Sequence, residues 1–137
     1  MLCGSDSGGA LICVNLQTWV ALPSTDVPVD LLCAFQDAYR RRTPTACRFD
    51  DGKTSYIFVI GWPTCYVIRE EPQAQIIEIQ SEIGQLAKEL VHDIKTRLPF
   101  WANWSGYRQK PANRQAFLKQ QTKILAALVK KHEAFPV

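Results

Sequence analysis

Flat rings and cations crowd one stretch of this chain. From residue 99 onward it carries Trp101, Trp104 and Tyr107 among Arg108, Lys110, Arg114, Lys119, Lys123, Lys130 and Lys131. Cations screen phosphates and flat rings stack on unpaired bases, so this mixture suits nucleic acid, with RNA or a single strand favoured over duplex DNA. It also suits an acidic protein surface, where Trp, Tyr and Arg are preferred anchors. Residues 99–137 hold seven Lys/Arg against a single acid, Glu133, a net of +6. Residues 1–98 hold nine against twelve, a net of −3, and the chain totals +3. The competing explanation is structural: a solvated lysine-bearing helix whose tryptophans fill the core.

Other candidate chemistry is sparse. Five cysteines (Cys3, Cys13, Cys33, Cys47 and Cys65) show no C-x-x-C pair of the kind that aims two thiolates at one metal ion. Their apolar neighbours predict small buried hydrophobes, with no metal and no cofactor. A Cys–His catalytic pair with His92 or His132 would require contacts that spacing does not reveal. Gly4-Ser5-Asp6-Ser7-Gly8-Gly9 flanks its serines with glycines, as a hydrolase nucleophile turn does, but no strand is predicted before it. Asp50-Asp51 reads as ordinary turn chemistry. Arg40-Arg41-Arg42 suits the negative end of a helix dipole and could also touch phosphate. None of these patterns points to an enzyme.

The elements that must position these residues follow from pattern. With 137 residues, 47% hydrophobic and 21% charged, the chain fits one globular domain over 1–137 and argues against disorder. No apolar run approaches the roughly 20 residues that span a bilayer, and no basic, apolar leader opens the chain, so a cytoplasmic protein, or part of an assembly formed in the cytosol, is expected. Residues 1–9 read as a flexible arm. Residues 10–22 favour a strand, broken near Asn15, and residues 27–42 a helix opened by Pro28. A β-meander follows over about 46–69, with its first turn at Asp50-Asp51-Gly52-Lys53, and the 10–22 strand is available to join it. Ile76, Ile79, Ile83, Leu86, Leu90, Ile94 and Leu98 then recur three or four apart, predicting one long amphipathic helix over 72–98 that serves as sheet cover or oligomer seam. Residues 99–137 form a basic, aromatic segment ending in a helix over about 113–132. At about 100° per residue, Lys119, Lys123 and Lys130 on that helix share a ~40° arc opposite Leu118 and Leu125.

The predicted order helix, three strands, helix is similar to that of the double-stranded RNA-binding domain. Where that family places paired lysines at the start of its second helix, this chain has Glu70-Glu71-Pro72-Gln73-Ala74-Gln75, so the family is not assigned. The expectation is an α+β binding or assembly protein. Trp101, Trp104, Tyr107, Arg108, Lys110, Arg114, Lys119, Lys123 and Lys130 would contact nucleic acid or an acidic partner. The alternative is an adaptor or structural subunit, homo-oligomeric or in a larger complex; a small cysteine- or histidine-dependent enzyme ranks third.

Overall fold

The computed structural model describes residues 1–4, 8–62, 64–70, 72–104 and 110–135. Three short strands open it: β1 (Leu2–Gly4), β2 (Ala10–Val14) and β3 (Gln17–Ala21), paired antiparallel in that order. Asn15 turns the β2–β3 hairpin with a left-handed φ of 53°, a conformation Asn tolerates better than most residues. This departs from expectation twice. Residues 2–4 are a paired strand rather than part of a loose arm, and residues 10–22 form a hairpin in a sheet of their own. Leu2, Ile12, Val14 and Trp19 are apolar on one face of that sheet, so it packs into the common core instead of extending the meander. A Leu22 N–H to Asp50 carbonyl hydrogen bond (2.8 Å) ties the hairpin to the meander.

Helix α1 (Val27–Arg41) has Pro28 in its first turn and Arg40 and Arg41 in its last. The meander follows as β4 (Thr45–Asp50), β5 (Ser55–Ile60) and β6 (Thr64–Arg69). Gly52, at φ 93°, supplies the backbone angle of the first turn. The Asp51 carboxylate caps that turn, accepting the Lys53 and Thr54 N–H groups at 2.8 and 2.7 Å. Those two bonds hold the Asp51 carboxyl below the usual aspartate range.

The long helix expected over 72–98 is two elements. Gln75–Glu82 is strand β7, which completes an antiparallel sheet of order β4-β5-β6-β7; the helix, α2, runs only from Ile83 to Lys95. A fourth strand also removes the α-β-β-β-α order. Ile76, Ile77 and Ile79 are β-branched and gain more from cross-strand neighbours than from a helix. Ile77 pairs with Val67 and Ile79 with Cys65, and Ile79 turns into the core at 2% exposure. Ile76 points the other way, 68% exposed, onto the sheet face away from the core. Ile83, Leu86, Leu90 and Ile94 do face the core from α2. Pro99 sits in the first turn of a short helix α3 (Leu98–Ala102).

The last helix, α4 (Pro111–Ala134), spans 24 residues and buries Arg114, Leu118, Thr122, Leu125 and Val129 along one side. It runs parallel to α1: Arg114 meets Asp26, Gln121 meets Gln36, and His132 meets Tyr39. It runs antiparallel to α2, whose Lys88 pairs with Glu133 near the C-terminal end of α4. The helices and the hairpin cover one face of the four-stranded sheet. On the other face Ile57, Val59, Tyr66 and Ile68 stay half-buried and take no part in the core cluster. No helix among the described residues is long and apolar enough to cross a membrane.

Candidate functional site

The basic third divides where α4 begins its second turn. Before that point its rings and its first helical cation turn inward. Trp101 is fully buried, edge-on to Phe100 at 4.9 Å and tilted against Trp104 at 5.9 Å. Trp104 is 4% exposed, and its indole N–H donates to the Gly9 carbonyl at 3.4 Å. Neither ring offers a face to a base. Arg114 is buried as well. Its guanidinium donates twice to the Asp26 carboxylate, at 2.6 and 2.8 Å, and its Nε–H donates to the Trp101 carbonyl at 2.9 Å. This fork joins α4 to the start of α1 and to α3, and it leaves no donor pair for phosphate. Three residues expected at the contact surface, Trp101, Trp104 and Arg114, are therefore structural. Tyr107 and Arg108 lie outside the described residues.

Beyond that point the cations turn outward. Lys119, Lys123 and Lys130 are exposed, as is Lys110 just before the helix. Because α4 lies antiparallel beside α2, Lys130 is joined by residues that its sequence neighbourhood does not suggest. A groove of about 460 Å³ between the helices is lined by Lys88, Lys95, Lys130 and His92, with Val91 and Val129 among its apolar residues. Lys88 is held by Glu133; Lys95 and Lys130 have no ion-pair partner among the described residues. The result is a cationic helical face with an apolar strip, opposite the sheet.

The thiols are placed differently from expectation: only Cys65 is fully buried, Cys3 and Cys33 are exposed, and Cys13 and Cys47 lie between. Burial nonetheless pushes the Cys3, Cys33 and Cys47 thiols up, and Cys65 to about 11. Thiolates are the reactive form, so these environments favour the unreactive one. Neither His92 nor His132 hydrogen-bonds a thiol among the described residues. Ser5 and Ser7 lie outside the described residues, although strand β1 does precede them.

Spatial apposition brings together two groups that linear reading kept apart. Tyr39, Trp62 and His132 form a mutual edge-to-face trio, with centroid distances of 5.4, 5.7 and 4.8 Å. Arg40 and Arg42, at the end of α1, line one hollow with Lys131. The parallel run of α1 and α4 creates both, and no local signal announces it. No protein-family model matches the chain, and neither a curated protein nor a solved structure shows a significant likeness to it.

Proposed function

We propose that this chain is a non-catalytic nucleic-acid-binding protein whose α4 face, with the rim of α2, holds a phosphate backbone. One observation carries the reading: Lys119, Lys123 and Lys130 stand exposed along α4, with Lys95 across the groove, and Glu133, the one acid of α4, is engaged by Lys88. A row of exposed lysines neutralises phosphates and releases their counterions, whatever the sequence of the strand. Because the two tryptophans are turned inward, the contact is with phosphates rather than with bases stacked on those rings. The test is binding of a 12-nucleotide single strand and of a 12-base-pair duplex at two salt concentrations. The combined variant K119Q/K123Q/K130Q is expected to keep its melting temperature. It should bind more weakly, with a salt slope shallower by about 0.7 for each single-strand phosphate no longer neutralised, or about 0.9 for a duplex. An unmodified protein that binds neither probe at low salt ends the reading.

The uncovered sheet face favours a second reading, assembly with another copy of this chain. Ile57, Val59, Tyr66, Ile68 and Ile76 form an apolar field with Arg48 at its β4 edge and Glu78 at its β7 edge. A two-fold axis along the strands lays β4 of one copy over β7 of the other, so the field buries itself and the opposite charges meet. Light scattering across a concentration series checks this. A doubled mass that Ile68→Glu returns to monomer supports it, and a monomer at every concentration removes it.

A further inference from the structure

The parallel packing of α1 and α4 brings their C-terminal ends side by side, and a hollow of about 300 Å³ lies there. Its walls include Tyr39, Arg40, Arg42, Lys131, His132 and Phe135. Its charge is one-sided. Among the described residues, three permanent cations line it and no carboxylate does, and none of the three makes an ion pair. Two helix C-termini together supply about −1 elementary charge, too little to balance them.

Arg42 is also held at a backbone cost. It caps α1 in the left-handed region, φ 53° and ψ 37°, where Gly or Asn is the usual residue, and its N–H donates to the Ala38 carbonyl at 2.8 Å. Glycine would end the helix with less strain; what arginine adds at this corner is its guanidinium. Beside the cations stands Phe135, 70% exposed, a large ring with a face open to solvent. His132 contributes a Nδ1 atom that is buried without a hydrogen-bond partner among the described residues, and Trp62 backs it edge-on. Guanidinium forks match phosphate oxygens two at a time, and an exposed phenyl ring accepts the face of any base.

We infer that this hollow seats one nucleotide, its phosphate between Arg40, Arg42 and Lys131 and its base on Phe135. The inference deepens the nucleic-acid reading above and rests on it for the polymer as ligand. It supplies the contact with a base that Trp101 and Trp104 do not make.

The full chain is titrated by calorimetry with adenosine 5′-monophosphate, adenosine and inorganic phosphate, and by fluorescence anisotropy with a labelled 12-nucleotide single strand. The monophosphate should bind more tightly than either of its halves. Arg42→Gly is the informative variant: glycine suits the left-handed position, so its melting temperature should be equal or higher, while its affinity for the monophosphate falls about 10-fold, as expected when a charge-assisted hydrogen bond is removed. Phe135→Ala should weaken the monophosphate at least about 5-fold by removing the stacking surface and leave inorganic phosphate unchanged. A monophosphate that binds no better than adenosine, or that binds both variants as it binds the unmodified chain, overturns the seat. The lysine face then still stands if the single strand is weakened by K119Q/K123Q/K130Q. Binding of the monophosphate with none of the 12-nucleotide strand removes the polymer reading and supports the seat for a free nucleotide.

Discussion

Trp101, Trp104 and Arg114 are 0%, 4% and 2% exposed, while Lys119, Lys123 and Lys130, further along the same basic third, stand in solvent. Both regions are cationic or aromatic, and composition alone assigns them to one contact surface. Their difference lies in what surrounds them. Arg114 reaches an acid at the start of α1 and the Trp101 carbonyl at the end of α3, so its charge is matched on folding. Lys119, Lys123 and Lys130 reach no such partner among the described residues. A buried cation needs a paired anion and satisfied donors, whereas an exposed one needs neither. Composition identifies a region able to bind anions; only the positions of the chain's own acids decide which of its cations remain available.

Four measurements break or sharpen that contrast, beginning with the largest effect. Trp101→Ala should cost about 3–5 kcal/mol, a large share of the ~5–15 kcal/mol that holds a domain of this kind together. Urea titration reads it directly. An unchanged midpoint with weakened oligonucleotide binding would move this ring from the inner region to the outer one.

Arg114→Met should come next. A fully buried pair broken on one side costs about 3–5 kcal/mol, and Asp26, at 21% side-chain exposure, recovers some hydration, so ~2–3 kcal/mol is expected. A double-mutant cycle with Asp26→Ala should return a coupling of about 1–3 kcal/mol. Additive effects would show that the fork does not join the two helices.

Alkaline pH probes the core against which the inner region packs. Burial raises the Cys65 thiol to about 11 and the Tyr39 phenol to about 12, above unfolded values of about 8.5 and 10. A raised folded pKa holds its stabilisation in full below the unfolded pKa and loses it as pH rises through the folded one. Melting temperature should therefore be steady to about pH 8.5 and fall progressively toward pH 11–12. Cys65→Ala, compared with the unmodified chain, should flatten the first part of that decline.

The smallest effect is the most telling for function. K119Q/K123Q/K130Q should change stability by no more than about 0.5 kcal/mol. A larger loss by calorimetry would give those lysines a structural role and weaken their claim to phosphate.

The class of fold and most of its elements were legible in the sequence, because period and turn chemistry are local. Asp51-Gly52 marked its hairpin and Pro28 its helix, and the strands of the meander fall within a residue or two of their expected ends. The misreading of residues 72–82 has a physical source. Ile76, Ile79 and Ile83 are spaced as on a helix, but the first two are β-branched residues on a strand that leads directly into α2. Spacing across a strand-to-helix junction imitates one continuous helix. The site was less legible for a different reason. Lys119, Lys123 and Lys130 lie outward as helical periodicity required, whereas the burial of Arg114 depends on Asp26, 88 residues away. Arg40 and Arg42 likewise gain their meaning from Lys131, through helix packing that no local pattern encodes.

The placement of α4 also governs when the molecule can come into being. Helices α1 and α2 both bury apolar faces against it, and Trp101 and its neighbours sit under its first turns. At a synthesis rate of about 5–20 residues per second, the 24 residues of α4 take ~1–5 s to make. Throughout that interval Leu86, Leu90, Ile94 and Trp101 exist on a nascent chain without the surface that covers them. The four-stranded sheet can assemble during elongation, from contacts between consecutive strands, but the core closes only once α4 is available to pack. The vulnerable interval of this fold is thus the few seconds during which α4 is being made, and a slow codon run within α4 would lengthen it.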